Sequence, residues 1–199
     1  MEQIKTKSGI WFADVRFPNK KSEPLHAWYS PEGLKDLYER NIESINENLQ
    51  NSDISYLTDK NGLSLRNYQI NAIKAVEEAI LRGDKRALLV MATGTGKTRV
   101  SISLVDVLKR NDWVKNVLFL ADRTSLVKQA HKNFVKLLPN ETTCVLNEGG
   151  ERDLNARIIF STYQTMINFI DTEEKPFSVG RFDLIIIDEA HRSIFGKYG

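Results

Sequence analysis

A short glycine-rich segment contains the residue types that bind phosphate. Residues 91–100 read MATGTGKTRV and lie between an apolar run and a helical pattern. Glycines let the backbone turn tightly there, so that successive N–H groups and the positive end of the helix dipole converge on one anion. Lys97 adds a positive charge for the outer phosphates, and the Thr98 hydroxyl is placed to ligate Mg²⁺. Met91 replaces the first glycine of the strict pattern, so a turn without a ligand is the alternative for this segment taken alone.

A second apolar run ends in two carboxylates. Residues 182–187 are followed by DEAH at 188–191. In open α/β folds ligands bind at the carboxyl edge of the sheet, which is where these acids would lie. Asp188 would hold Mg²⁺ through water, and Glu189 could orient or deprotonate an attacking water. An Asp-Glu pair alone could simply cap the next helix, but downstream of a Gly-Lys-Thr turn it indicates a nucleotide site.

A glutamine lies upstream of both motifs, in the sequence LRNYQ at 65–69. The amide of Gln69 offers one donor and one acceptor, which complement N7 and the N6 amino group of adenine. This residue, at the start of a predicted helix, would favour ATP over GTP. A plain surface role is the alternative if the glutamine is considered without the other motifs.

Short apolar runs that alternate with helical patterns indicate the elements that position these residues. Runs that are apolar on both faces and separated by helices are what a parallel sheet covered on both sides requires. Gly83 supplies a stop for the helix that precedes the first run. The predicted fold class is α/β, with candidate strands at 87–91, 116–121, 157–161 and 182–187.

The composition shifts near residue 60 and divides the chain into two parts. Residues 1–60 are predicted to form an N-terminal extension, in which Ser30 and Pro31 open a helix as N-cap and first helical residue. Residues 61–199 carry the α/β pattern and the chemical motifs.

The overall composition excludes several classes of protein. The 28 Lys and Arg residues nearly balance the 26 Asp and Glu residues, so the net charge alone favours no particular partner. A single cysteine, Cys144, rules out an internal disulfide, and the three histidines form no cluster with metal-ligand spacing. No apolar run approaches the length of a membrane span, which predicts a soluble, cytoplasmic chain.

Taken together, the motifs resemble the first motor lobe of superfamily 2 helicases and translocases over residues 65–191. The wording LRNYQ, MATGTGKTR, FLADRTSLVKQA, IIFSTYQTM and DEAHRS is most similar to the R (motor and restriction) subunit of type I restriction enzymes. HAWYSPEGL resembles the linker that follows the nuclease domain of that subunit. These families often begin the phosphate loop with Met-Ala-Thr-Gly, so Met91 fits the resemblance. It implies a RecA-like lobe in an ATP-dependent double-stranded DNA translocase, with ATP and Mg²⁺ as cofactors.

The resemblance also assigns roles to individual residues. Lys97 and Glu189 would be catalytic, Thr98 and Asp188 would bind Mg²⁺, and His191 would couple nucleotide state to a second lobe. The expected DNA-backbone contacts are Arg123, Thr124, Thr162 and Tyr163. The expected nucleotide-binding residues are Arg66, Gln69, Thr93, Gly94, Thr95, Gly96, Lys97, Thr98 and Arg99.

A lysine ladder could add to the DNA face. Lys128, Lys132 and Lys136 recur every four residues on one face of a predicted helix whose other face is apolar. Such a ladder could meet phosphates of any sequence. A solvated helix face is the more common reading of this pattern.

The resemblance further implies partners that residues 1–199 do not contain. Superfamily 2 motors hydrolyse ATP between two lobes, and the second lobe supplies arginines that stabilise the transition state. We therefore expect a fragment that is inactive alone and that works, in its full-length parent, with methyltransferase and specificity subunits. The alternatives are a type III restriction subunit, an RNA helicase, a P-loop kinase and a non-catalytic nucleic-acid or subunit-docking module.

Overall fold

The computed structural model describes residues 10–12, 23–25, 31–60, 62–146, 153–170, 176–177 and 180–189. In chain order the elements are β1 (Ile10–Phe12), β2 (Glu23–Leu25), α1 (Pro31–Glu39), α2 (Ile42–Gln50), the 3-10 helix η1 (Ser55–Thr58), α3 (Asn67–Leu81), α4 (Lys97–Arg110), β3 (Val117–Ala121), α5 (Thr124–Leu137), β4 (Thr143–Val145), β5 (Ile158–Thr162), α6 (Tyr163–Ile170) and β6 (Leu184–Ile187). None of the helices in these ranges is both long and apolar enough to cross a lipid bilayer.

The described part of the chain builds a four-stranded sheet in the order β4-β5-β3-β6. All three strand pairings in it are parallel. Parallel strands point their carboxyl ends to the same edge, so the residues that follow β3, β5 and β6 meet there. The predicted α/β fold class is confirmed, and three of the four predicted strands correspond to β3, β5 and β6 with shifts of one or two residues.

Helices cover both faces of the sheet because the central strand β3 is apolar on both faces. Val117 and Phe119 face a larger core that also contains residues of α3, α4 and α5. Leu118 and Leu120 face a smaller core that contains Met166 of α6. All five residues of β3 are buried, as expected for a strand in a parallel sheet with two covered faces.

The prediction of a strand at 87–91 is wrong. The structure assigns no strand there, and Leu88 and Val90 are 80% and 88% exposed. A strand needs a neighbour that takes up its backbone hydrogen bonds. In the described residues the sheet ends at β6, whose one strand neighbour is β3. The apolar residues of this segment therefore lie outside the sheet, and only Met91 packs partly against the larger core.

Part of the N-terminal extension packs on the same core as the α/β region. Leu49 of α2 and Leu57 of η1 are buried in the larger cluster. The Tyr56 hydroxyl donates to Oδ2 of Asp106 at 2.7 Å, and Nε of Arg110 donates to the same oxygen at 2.9 Å. Because Asp106 belongs to α4, the hydrogen bond from Tyr56 attaches η1 to the helix that begins at the glycine-rich turn.

Candidate nucleotide-binding site

The glycine-rich turn leads directly into α4. Gly94 and Gly96 have φ angles of 76° and 85°, a left-handed conformation that glycine adopts without the steric cost that a Cβ brings. Gly96 is the N-cap of α4, and Lys97 and Thr98 are its first helical residues. The N–H groups of a first helical turn have no partner within the helix, and the helix dipole is positive there. The turn therefore has the geometry of an anion site.

The first turn of α3 holds the glycine-rich turn in place. The side-chain Nε2 of Gln69 donates to the carbonyl oxygen of Thr95 at 2.9 Å, and Oε1 of Gln69 accepts the backbone N–H of Arg66 at 2.9 Å. Gln69 is only 4% exposed. The glutamine amide thus contacts the glycine-rich turn in this structure, and recognition of adenine by Gln69 stays a prediction.

The structure brings the glycine-rich turn and the acid pair together. Nζ of Lys97 lies 3.3 Å from Oε1 of Glu189, and these side chains are 29% and 24% exposed. The backbone N–H of Asp188 donates to the carbonyl of Leu120 at 2.9 Å, which extends the pairing of β6 with β3 to the acid pair. The two motifs, which lie far apart in the sequence, are therefore in contact at the carboxyl edge of the sheet.

Asp188 lies in an environment that favours its protonated form. Burial raises the pKa of Asp188, the neighbouring carboxylates of Glu189 and Asp122 raise it further, and the N–H of Glu189 and the charge of Lys97 oppose this shift. The backbone N–H of Glu189 donates to Oδ1 of Asp188 at 3.1 Å. Glu189 itself has a φ of 54°, which is uncommon for a residue with a side chain and is found often at functional sites. A nearby cation would favour the ionised form of Asp188.

The residues present fit Mg²⁺ bound together with phosphate. Mg²⁺ in nucleotide sites usually takes one or two protein ligands, with substrate phosphates and waters completing the shell. Thr98 and Asp188 are such ligands by type. Within the described ranges there is no group of three or more His, Cys, Asp or Glu side chains that could hold a metal without phosphate.

Two of the predicted DNA contacts lie on the surface at the same edge of the sheet. Arg123 and Thr124 follow β3 and are exposed. Nε of Arg123 lies 3.4 Å from Oδ2 of Asp122, and the Arg123 side chain is 67% exposed. The three lysines of the ladder on α5 are exposed as well: Lys128, Lys132 and Lys136. A DNA contact by any of these residues stays a prediction.

The other two predicted DNA contacts have local structural roles. Oγ1 of Thr162 accepts the backbone N–H of Thr165 at 3.2 Å and so caps the start of α6. Tyr163 packs against the smaller core, and its hydroxyl oxygen is buried. The part of Tyr163 that could meet a phosphate is therefore not presented to solvent, while the role assigned to both residues stays a prediction.

The remaining predicted residues are distributed around the turn. Arg66, Thr93 and Arg99 are exposed, at the N-cap of α3, in the turn and in the first turn of α4. His191 lies outside the described residues, and its coupling role stays a prediction.

The sequence analysis missed two residues of the site. Tyr68 donates its hydroxyl to the carbonyl of Thr95 at 2.9 Å. Asp122 follows β3 as Asp188 follows β6, and its charge contributes to the raised pKa of Asp188. The signals were the position of Tyr68 next to Gln69 and the position of Asp122 directly after an apolar run.

Comparison with known proteins identifies relatives of most of the chain. A family model described as "Type III restriction enzyme, res subunit" matches residues 62–199. A second model, described as "Type I restriction enzyme EcoKI endonuclease subunit second domain", matches residues 1–38.

The sequence relatives include two endonuclease subunits from Escherichia coli. The chain is 36% identical over 198 residues to the type I restriction enzyme EcoKI endonuclease subunit of strain K12. This match covers 95% of this chain and 16% of that protein. It is 39% identical over 140 residues to the type I restriction enzyme EcoAI endonuclease subunit, covering 69% of this chain and 17% of that protein. The chain therefore spans about a sixth of the length of these relatives.

The structure resembles the Sulfolobus solfataricus SWI2/SNF2 ATPase core, solved in complex with dsDNA. The TM-score is 0.51 at 21% sequence identity, over 64% of this chain and 26% of that chain. At this identity the likeness shows a shared fold.

Proposed function

Because the chain belongs to the family of the type III restriction enzyme res subunit, we propose that it forms the ATP-binding half of an ATP-dependent double-stranded DNA translocase. The parent protein would be the R subunit of a type I restriction-modification system, as in the relatives that are 36% and 39% identical. Residues 61–199 would be the first RecA-like lobe, and residues 1–60 would link it to a preceding nuclease domain.

The contact between Lys97 and Glu189 carries this proposal. Their side chains come within 3.3 Å although one begins α4 and the other follows β6. A glycine-rich turn or an acid pair alone is common. A lysine at a helix N-terminus that meets an acid pair at the carboxyl edge of a parallel sheet would place a phosphate-binding charge beside groups that could hold Mg²⁺ and orient water, which supports ATP hydrolysis.

The chain's own residues would divide the work of ATP hydrolysis. The backbone N–H groups of the turn and of the first turn of α4 would bind the phosphates. Lys97 would leave Glu189 for a phosphate oxygen, and Glu189 would then be available to hold the proton of an attacking water. Thr98 and Asp188 would hold Mg²⁺, which supplies positive charge to the phosphate oxygens.

The DNA partner and the other subunits belong to the same proposal. Arg123 and Thr124, at the carboxyl edge beside the nucleotide site, would contact the DNA backbone through charge and hydrogen bonds that do not depend on sequence. Methyltransferase and specificity subunits would join the full-length protein. An RNA helicase is the nearest rival, and stimulation of the parent's ATP hydrolysis by DNA duplex rather than RNA duplex would distinguish the two.

The substitution Lys97→Ala tests the nucleotide site directly. We expect it to abolish binding of Mg-ATP by residues 1–199 in isothermal titration calorimetry, with an unchanged circular dichroism spectrum. Lys74→Ala, which removes an exposed lysine of α3, is the matched control and should bind as the wild type does. Retained affinity in Lys97→Ala would place the nucleotide elsewhere. Hydrolysis by residues 1–199 alone should be slow, because superfamily 2 motors also use arginines of a second lobe to stabilise the transition state.

A further inference from the structure

Tyr68 links the first turn of α3 to the phosphate-binding turn. Its hydroxyl donates to the carbonyl oxygen of Thr95 at 2.9 Å, and Nε2 of Gln69 donates to the same oxygen at 2.9 Å. A carbonyl oxygen has two lone pairs, so these two donors together satisfy it. Two consecutive side chains of α3 thus hold one atom of the turn.

The Thr95 carbonyl needs partners from outside α4. Val100 N–H donates to the carbonyl of Gly96 at 3.0 Å, and Gly96 is the N-cap of the helix. Thr95 precedes the N-cap, so its carbonyl lies before the hydrogen-bond ladder of α4. Tyr68 and Gln69 of α3 therefore supply the hydrogen bonds that α4 does not supply to this carbonyl.

Holding this carbonyl also fixes a donor for phosphate. The peptide group between Thr95 and Gly96 is planar and trans, so its C=O and N–H point in opposite directions. When α3 holds the carbonyl of Thr95, the N–H of Gly96 is directed away from α3. A rotation of that peptide plane would remove Gly96 N–H from the set of donors that converge at the N-terminus of α4.

The two donors differ in their freedom to leave. Gln69 is 4% exposed, and its amide also accepts the backbone N–H of Arg66. Tyr68 is 42% exposed and has its hydroxyl on Thr95. The buried Gln69 amide is therefore the more constrained of the two donors, and the Tyr68 hydroxyl is the one that can be removed without leaving a buried amide unpaired.

We propose that Tyr68 is a positioning residue of the phosphate-binding turn, whose hydroxyl, together with the Gln69 amide, fixes the peptide plane between Thr95 and Gly96. The effect of Tyr68 on ligand affinity rests on the proposed nucleotide site. Its effect on the turn itself does not.

The substitution Tyr68→Phe tests the effect on the turn without any nucleotide. It removes the hydroxyl and keeps the ring. We expect amide hydrogen exchange to become about fivefold faster at Thr95 and Val100, whose N–H groups donate to carbonyls of the turn. Tyr56→Phe is the matched control, since it removes a hydroxyl that is bonded to Asp106 instead of the turn. Its exchange at the same two amides should equal that of the wild type.

Binding of inorganic triphosphate with Mg²⁺ provides the second readout. Triphosphate has no base, so recognition of adenine by Gln69 does not enter the measurement. We expect Tyr68→Phe to weaken triphosphate binding about fivefold and Tyr56→Phe to leave it unchanged. Exchange rates and affinity both equal to the wild type in Tyr68→Phe would overturn the proposal. Faster exchange in Tyr68→Phe, with no triphosphate binding even by the wild type, would support the positioning role and contradict the proposed function.

Discussion

At the scale of single residues, the protonation of Asp188 affects the stability of the folded chain. Burial raises the pKa of Asp188 above that of an aspartate in the unfolded chain. Between those two pKa values the folded chain holds the proton more tightly than the unfolded chain. Stability therefore falls as the pH rises through that window, and the ionised carboxylate lowers stability at neutral pH. A divalent cation would offset this cost.

The substitution Asp188→Asn should separate the cost of the ionised carboxylate to stability from its contribution to Mg²⁺ binding. At neutral pH and without added Mg²⁺, we expect its melting temperature to rise by up to about 2 °C, after allowance for solvent screening. Its Mg²⁺-dependent binding of ATP should be lost in calorimetry. Mg²⁺ requires the ionised form of Asp188, and the pKa of Asp188 is raised. As the pH is lowered, binding of Mg-ATP by the wild type should therefore begin to weaken at a higher pH than an ordinary aspartate would cause.

Asp53 is a suitable control for this substitution. Asp53 is fully exposed, and hydrogen bonds from Ser55 lower the pKa of its carboxylate. Asp53→Asn should therefore not raise the melting temperature at neutral pH. A lower melting temperature for Asp188→Asn than for the wild type would contradict the interpretation of Asp188.

At the scale of elements, the junction between α3 and α4 depends on a glycine for two reasons. Gly96 has a left-handed φ of 85°, and a Cβ at this position would lie 2.5 Å from Nε2 of Gln69. Gly94 has a similar φ of 76°, but a Cβ there would meet nothing within 4 Å. The two glycines share the backbone requirement, and only Gly96 has the steric one.

Alanine substitutions at these two positions should therefore differ in their cost. Gly94→Ala should lower stability by about 1–2 kcal/mol, the cost of a side chain in the left-handed region. Gly96→Ala should cost at least about 1 kcal/mol more, because the Gln69 amide must leave Thr95 and lose a buried hydrogen bond. Urea unfolding of both variants measures the difference. Equal costs would mean that Gln69 yields to the new Cβ without losing its contact.

The elements also show which parts of the structure follow from sequence. Three strands, β3, β5 and β6, could be predicted because each is a continuous apolar run between helical patterns. The run at 87–91 is also continuously apolar, yet it forms no strand. A strand depends on a neighbouring strand, which the local sequence does not reveal. β4, the three residues Thr143–Val145, is too short to give a pattern.

The candidate site divides in the same way. The positions of Lys97 and Asp188 follow from motif chemistry and from the rule that ligands bind at the carboxyl edge of a parallel sheet. The contact of Tyr68 with Thr95 depends on how α3 packs beside the turn, which no spacing in the sequence specifies. Oγ1 of Thr162 caps α6, so the same hydroxyl is engaged within the chain and is less available for the predicted DNA contact. This role depends on where α6 begins, which the sequence does not specify.

At the scale of the whole molecule, the end of the sheet carries an apolar surface. Ile185 and Ile187 of β6 are 54% and 49% exposed, and Leu88 and Val90 are exposed in the segment before the turn. In the described residues, β6 pairs on one side with β3, and no strand pairs with its other edge. An edge of this kind can pair with another chain, and exposed apolar side chains favour that contact.

We therefore expect residues 1–199 to self-associate at high protein concentration. Sedimentation velocity over a range of concentrations should show a rising weight-average sedimentation coefficient. Ile185→Lys should reduce the association by placing a charge on the edge strand. Ile170→Lys is the matched control, because Ile170 is 57% exposed but lies at the end of α6. A monomeric profile at the highest concentration would contradict this expectation.

If the proposed site binds an anion, the charge balance around Lys97 would determine which anions it accepts. An anion that draws Lys97 away from Glu189 leaves two carboxylates, Glu189 and Asp188, with less positive charge nearby. Like charges in a partly buried place repel. A bare oxyanion such as sulfate brings nothing to relieve that repulsion, whereas a chelated one brings its own divalent cation. The ion pair between Lys97 and Glu189 would then select against simple anions such as sulfate. Competition of sulfate with triphosphate, measured with and without Mg²⁺, would reveal this preference.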